Sequence, residues 1–551
     1  MRFAAERLPY VLGAVFLAVT LLGIGAADIT GDDEAREVGI VQDVLAGHWL
    51  WPRFNDDLIP DKPILTHWLA ALPCAIAGFS ETAVRLPSAL AGAALVTWTA
   101  RFGMQTLGRG PGIAAGLLLA TTPAFFGRTR LARPDVVMLL LLALASGLAF
   151  RALRERRPRD ATWALVWLGL ATFTKGPVAP ALFVATLGAF LVWQRELGRM
   201  RELATLPGIV ALVVLGGGWY AIALAGWGEE FVRQHLVRRY LHNLAGGIVE
   251  GKAYSPKSLA YHLTFYPLHL LIIALPWTPL VLASLDRLRR RGGLGSPLVR
   301  FLVCWAVAPV IVFTPAQWKL RYYLLPSLPA LALLAAPLAY ELVTRPIGRP
   351  RASRGSLVAA ATTLVAGGVV AWIALGRPDL LARSDQVTMA DLLAALPGGR
   401  GSTALLAGMF LGIATTTIAL RLWGPLIAVT GALTIGWFAI GAPAVAVARP
   451  AAASLRNLAR TAAERFPTPG ALAFYGEPVR SLVVYVGHPV PSLARDTSRI
   501  TPGLGLVLTL RAYERLAVQG VVGPRMATGE GQIGNLERGT LVLAEGRAAT
   551  R

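Results

Sequence analysis

The sequence predicts a mainly α-helical, polytopic membrane protein: a transmembrane helical bundle over residues 1–447 followed by a small extracytoplasmic α/β domain over 448–551. Only 15% of its residues are charged and 55% are hydrophobic, whereas soluble domains carry about 25% charged residues; there is too little polar surface to wet a globule of this size. The apolar residues fall in runs long enough to cross about 30 Å of hydrocarbon, which takes roughly 17–25 helical residues. The arginines collect in alternate connections, at 151–159, 195–201, 287–291 and 345–354, which the positive-inside rule makes cytoplasmic.

Taken in order, the chain begins Met1-Arg2 to Arg7 and then runs apolar to Ala27 with no clear cleavage site. This reads as an uncleaved first span over 8–28. Further runs lie at 83–103, 111–127, 135–152, 161–174, 177–193, 204–226, 263–285, 298–314, 323–343, 356–375, 403–420 and 424–447, for about 13 spans at the usual length. The stretch 161–193 reads as a helical hairpin broken at Lys175-Gly176-Pro177. The apolar stretch 64–79 is short, and counting it as a span would place all the arginine blocks outside. It is read as a re-entrant or interfacial helix. Loops 29–82, 128–134, 227–262, 315–322 and 377–402 then face outward.

The tail changes in kind after 447. Segments 481–486 (SLVVYV) and 504–510 (LGLVLTL) have strand composition between Gly/Pro turns, while 452–465 has a helical period. An α/β domain of roughly 100 residues fits a common domain size, and an odd span count puts it outside.

Several function classes are excluded. A net charge of +22 would suit nucleic acid if it formed one patch, but these arginines are dispersed in short loops beside membrane lipids. Cys74 and Cys304 give neither a disulfide framework nor metal-ligand spacing. The sequence holds no Walker-type phosphate loop, no HExxH pair and no nucleophile elbow.

The candidate chemistry sits in the outer loops. The first contains Gly31-Asp32-Asp33-Glu34-Ala35-Arg36-Glu37, with a helix expected over 35–46 after the acidic cluster. Acids there can complement the helix dipole, but capping needs one carboxylate, and Asp32, Asp33 and Glu34 are consecutive. Trp49 and Trp51 read as interfacial anchors. The second outer loop carries Arg128, Arg130 and Arg133 before Asp135 opens the fourth span. Arginines outside run against the topology bias; they either bind a phosphate by charge-assisted bonds or neutralise lipid headgroups. The five lysines, Lys62, Lys175, Lys252, Lys257 and Lys319, all fall in outer loops, where a compact, flexible ammonium suits a phosphate that comes and goes. The connection Gln317 to Tyr323 sets Lys319 and Arg321 beside Tyr322. A single metal site would take one histidine, from among His235, His242 and His262, with Asp61 or Glu34.

These residues resemble those of a known family. Asp33-Glu34-Ala35-Arg36, Gly47-His48-Trp49, Asp61-Lys62-Pro63 and Arg85-Leu86-Pro87-Ser88 follow its first-loop pattern. So do Leu131-Ala132-Arg133-Pro134-Asp135, Thr174-Lys175-Gly176-Pro177, Pro276-Trp277 and Arg321-Tyr322-Tyr323-Leu324-Leu325-Pro326. In the tail, Phe474-Tyr475-Gly476-Glu477-Pro478 and Tyr485-Val486-Gly487-His488-Pro489 match its aminoarabinose-transferase-like branch. The chain is thereby similar to the GT-C group of lipid-dependent glycosyltransferases, related to aminoarabinose transferase and the protein O-mannosyltransferases. There are departures. Glu37 stands where an aromatic usually follows, the stretch to Gly47 is one residue short so that Asp32 and Asp33 share the key position, and Asp61 replaces a more usual Glu.

The resemblance implies a GT-C-like bundle in a bacterial inner membrane, with its active site on the periplasmic face. It implies a monomer that uses a sugar on polyprenyl phosphate, such as 4-amino-4-deoxy-L-arabinose, and a lipid or glycan acceptor such as lipid A. Asp33 and Asp135, with Asp32 and Glu34 as alternatives, would be catalytic. Lys62, Lys175, Arg321, Tyr322 and Arg133 would hold the donor phosphate. A divalent metal, if used, would fall to Asp61 and His242, and no other cofactor is implied. Two other classes compete. A transporter or flippase would favour paired repeats and midplane charges, whereas here the charges gather at one face. A non-enzymatic envelope assembly protein would leave the clustered carboxylates and cations without a role.

Overall fold

A computed structural model describes residues 2–29, 31–55, 60, 62–241, 256–316, 319–344, 455–476, 478–533 and 537–547. The described chain is mainly helical. Helix α1 (Arg2–Leu21) packs along α4 (Glu81–Leu107), and between them lie α2 (Asp32–Leu45) and the short apolar α3 (Leu65–Ala77). Helix α2 begins at Asp32 rather than at 35. The acidic residues therefore form its first turn instead of preceding it, where the helix dipole favours them. Ser80 caps α4 by accepting the Ala83 N–H at 3.2 Å.

The run 111–127 is not one straight helix. It divides into α5 (Arg109–Ala120) and α6 (Pro123–Thr129), bent by 67°. Pro123 opens the second piece without an N–H to continue the ladder, and the Thr121 and Thr122 hydroxyls donate back to the Leu117 and Leu118 carbonyls. Helices α7 (Asp135–Glu155), α8 (Pro158–Lys175) and α9 (Val178–Gln194) follow as expected. The break between α8 and α9 rests on Gly176 at φ +75°, a conformation that costs glycine little. Helices α10 (Leu206–Leu212) and α11 (Gly218–Trp227) join through a π-helical turn, Val213–Gly217.

The run 263–285, expected as one span, is also corrected. It is shared between α12 (Pro256–Ile273) and α13 (Thr278–Arg290), which meet at 104°. Pro276 and Pro279 interrupt the backbone ladder there. The last turn of α13 carries Arg287, Arg289 and Arg290, a polar end unsuited to hydrocarbon. Helices α14 (Pro297–Phe313) and α15 (Leu328–Thr344) are joined through a 3-10 turn, Arg321–Ser327. Among the described residues three helices are long and apolar enough to cross a membrane, or five if each bent pair counts as one span. The runs 356–375, 403–420 and 424–447 lie outside the described residues.

The C-terminal part holds helix α16 (Leu455–Arg465), α17 (Arg480–Val486) and α18 (Leu510–Val518) around a four-stranded sheet. Its strands β1 (Leu472–Phe474), β2 (Gly505–Thr509), β3 (Ala527–Ile533) and β4 (Glu537–Glu545) lie in the order β1-β2-β4-β3. Only the β1–β2 pairing is parallel. Segment 481–486, expected as a strand, is helix α17. Ser481, Leu482, Val483, Val484 and Val486 are all buried, so tertiary packing outweighs the β propensity of its valines.

Two of the apolar cores among the described residues bear on the site. One fills the helical bundle, where the Phe150 and Phe301 rings stack at 4.5 Å. The other is shared: Ala35, Val38 and Val41 of α2 and Ala71 of α3 pack with Leu458, Leu482, Val507 and Leu543 from the C-terminal part. Helices α2 and α3 and the C-terminal part thus bury one common apolar surface.

Candidate functional site

Successive residues of an α-helix point about 100° apart, so the three acids opening α2 leave it in three directions. Asp32 pairs with Arg480 at the start of α17. Asp33 pairs with Arg133, accepts a bond from the Tyr322 hydroxyl at 3.4 Å, and has Arg36 at 3.9 Å. Glu34 is gripped by Arg85, at 2.8 Å from Nε and 3.1 Å from Nη2, and accepts the Ala132 N–H at 2.9 Å. Side-chain exposure separates their tasks: 34% for Asp33, against 10% for Asp32 and 6% for Glu34. Asp33 is the most exposed of the three carboxylates.

The second aspartate comes from another helix start. Asp135 opens α7 and pairs with Lys175, which ends α8, and Arg128 stands 3.9 Å away. Tyr322 links the two centres. The Arg128 guanidinium lies 3.7 Å and that of Arg133 5.2 Å from its ring centre, while its hydroxyl reaches Asp33. Such cation–π contacts strengthen where water is scarce. Burial works against the charge on Arg133, but Asp33, with Tyr322, Asp135 and Glu37, holds that guanidinium well above its ordinary range. A small recess opens here, lined by the polar side chains of Asp135, Lys175, Tyr322 and Tyr323 together with Met138, Phe313, Leu325 and Pro326.

A third group adjoins these. Lys62 pairs with Glu37, whose other oxygen lies 2.9 Å from His67 Nε2, and all three side chains are buried. The Lys62 ammonium is close enough to repel that of Lys175. Lys319 donates to the Thr314 and Ala316 carbonyls at 2.6 and 3.0 Å and lies 5.0 Å from the Tyr266 ring centre. Burial pulls its ammonium down to about 8.

The structure thus gathers Asp33, Asp135, Arg133, Lys175 and Tyr322, with Lys62 close by. Arg321 is exposed, and its charge bears on His269. Neighbours on a 3-10 turn point about 120° apart, so Arg321 and Tyr322 do not share a face. Asp61 and His242 lie outside the described residues, among which no three His, Cys, Asp or Glu side chains converge as a metal site. Sequence reasoning passed over Glu37, His67 and Arg480. The substitution of an aromatic by Glu37 was a signal that Lys62 has a carboxylate partner. Nothing in the pattern around Arg480 marks it.

A family described as dolichyl-phosphate-mannose-protein mannosyltransferase matches residues 61–219. The undecaprenyl phosphate-alpha-4-amino-4-deoxy-L-arabinose arabinosyl transferase of Shewanella sediminis is 28% identical over 342 residues, covering 60% of this chain and 59% of that protein. Its counterpart in Erwinia tasmaniensis is 28% identical over 310 residues, covering 55% and 54%. The chain therefore matches less than two thirds of the length of these relatives. The crystal structures of ArnT from Cupriavidus metallidurans, bound to undecaprenyl phosphate and in the apo state, share the fold at TM-scores of 0.70 and 0.69. Identity is 18% and 20%, and the match covers 97% of both chains in each case. In sequence the chain is similar to these arabinosyl transferases over part of its length, and in fold it is similar to ArnT.

Proposed function

We propose that the chain is a polyprenyl-phosphate-dependent glycosyltransferase. It moves a sugar, with inversion, from polyprenyl phosphate to an envelope lipid or glycan at the outer face of the plasma membrane. The observation that carries this reading is the convergence of Asp33 and Asp135, from the starts of two separate helices, on Arg133, Lys175 and Tyr322. The relatives' names favour 4-amino-4-deoxy-L-arabinose as the sugar, and lipid A is the acceptor class to try first. The protein acts as a monomer of about 13 spans, with residues 448–551 on the same outer side as the site. The dispersed cytoplasmic arginines support that topology.

In this mechanism the donor phosphate sits among Lys175, Arg133 and the Tyr322 hydroxyl, with Lys62 behind. The acceptor oxygen attacks the anomeric carbon from the face opposite the phosphate. The bond from that carbon to the phosphate oxygen breaks, and its electron pair leaves on polyprenyl phosphate. The cations stabilise the charge that develops there, in a site where water is scarce. A hydroxyl acceptor gives its proton to Asp33; a phosphate acceptor has none to give, and the carboxylate then only orients it. Polyprenyl phosphate is a good leaving group, so no acid is needed on its side.

The test is incubation of purified protein with a panel of polyprenyl-phosphate sugars and an envelope lipid fraction, followed for released polyprenyl phosphate. Release with one sugar, dependent on acceptor, is expected. Passage of unmodified lipid across a vesicle membrane without release would instead indicate a transporter.

A further inference from the structure

We propose that Arg480, far from the site in sequence, is a positioning residue for transfer: it fixes the first turn of α2 through Asp32 so that Asp33 meets its partners. The inference rests on the reading of Asp33 given above. Gly31, the N-cap of helix α2, offers no side-chain cap, so the first turn takes its orientation largely from the ion pairs its acids make. Glu34 ties one side of that turn to Arg85 of α4. With that side alone held, the first turn is freer to shift on its apolar packing, and a shift would swing Asp33 away from Arg133 and Tyr322. The Asp32–Arg480 pair ties the opposite side.

The same part of the chain also holds the segment entering α2. The Ile29 N–H donates to the Tyr485 hydroxyl at 2.7 Å, and that hydroxyl donates to Glu81 at 2.8 Å. Arg456 pairs with Asp28 at 2.7 Å and with Glu81 at 2.8 Å. Further along α2, Gln42 donates to the Val484 carbonyl at 2.9 Å. The approach to the helix, its first turn and its middle are therefore all held from one side by the C-terminal part. The consecutive acids read as one working carboxylate between two anchors.

The full chain in lipid nanodiscs tests this. Misplacement by about 1 Å can cost roughly a hundredfold in rate, so Arg480→Ala should lower kcat by about ten- to a hundredfold with donor Kd unchanged. Arg480→Lys should restore most of the loss, and the exchanged pair Asp32→Arg with Arg480→Asp should be more active than either single change. An Arg480→Ala protein with unaltered kcat overturns the proposal. So does a loss that follows the amount of folded protein and is restored by neither the lysine nor the exchanged pair. Asp33→Asn, run alongside, separates the two ideas: if it turns over normally the site reading fails, and if it is inactive while Arg480→Ala is normal only the positioning role fails.

Discussion

Lys175 and Asp135, 40 residues apart in sequence, form an ion pair where the end of α8 meets the start of α7. Both side chains are largely buried, at 11% and 6% exposure, so each charge depends on the other for its solvation. On the proposed function, an arriving phosphate would draw Lys175 toward itself and loosen its hold on Asp135, coupling donor binding to the release of the carboxylate.

Lys175→Ala should accordingly do two things. Donor affinity falls, and buried Asp135, left with Arg128 at 3.9 Å in place of its close partner, destabilises the fold by about 3–5 kcal/mol. Adding Asp135→Asn should recover the melting temperature without recovering donor affinity. Donor binding that is unchanged in Lys175→Ala nanodiscs would count against the phosphate role.

Glu37 pairs with Lys62, and on the proposed function it would compete with the donor phosphate for that ammonium. Glu37→Gln keeps the shape and removes the negative charge, so donor Kd should tighten by about fivefold, equivalent to roughly 1 kcal/mol. Weaker binding in a folded Glu37→Gln protein would show that the carboxylate presents Lys62 rather than restrains it.

Glu34 is an anchor. Glu34→Gln leaves the Arg85 guanidinium, 2% exposed, without its charge partner, and should lower stability by about 3–5 kcal/mol. Thermal unfolding in detergent would register this as a clear drop in Tm. A Glu34→Gln protein of normal stability and no activity would move Glu34 into the chemistry.

Lys319 gives a pH signature. Its ammonium titrates near 8 in the folded chain, against an ordinary value of 10.5. Below about 8 both folded and unfolded chains carry the proton, and the burial penalty is felt in full. Between 8 and 10.5 the folded chain releases the proton while the unfolded chain keeps it, so stability rises with pH across that window. With five lysines in the chain, NMR of methylated lysines can resolve the titration, and Lys319→Met should remove that lysine's share of the rise. A Lys319 midpoint near 10.5 would contradict it.

Much of this was legible in the sequence because apolar length, loop arginines and consecutive acids each have a direct physical meaning. The hairpin break at Gly176 could be placed from Lys175-Gly176-Pro177 alone, since glycine and proline there leave few alternatives. The bends at Pro123 and Pro276 were not placed, because a proline in an apolar run can open, kink or end a helix. Helix α17 was misread for a different reason: its valines have strand propensity, and only contact with α2 and the sheet decides otherwise. In the site, Asp33, Asp135, Lys175 and Tyr322 were each identifiable by type and loop. The arrangement around them was not, since partners such as Arg480 come from hundreds of residues away. The split of tasks among Asp32, Asp33 and Glu34 likewise needs the direction in which each leaves the helix.

Turnover of Asp33→Asn and Asp135→Asn, measured as polyprenyl phosphate released by folded protein, tests the central claim most directly. Removing a positioned base or orienting carboxylate costs about a hundred- to ten-thousandfold, and both variants should fall by that much while Asp32→Asn retains measurable activity. Near-normal turnover in both Asp33→Asn and Asp135→Asn would place the catalytic centre elsewhere.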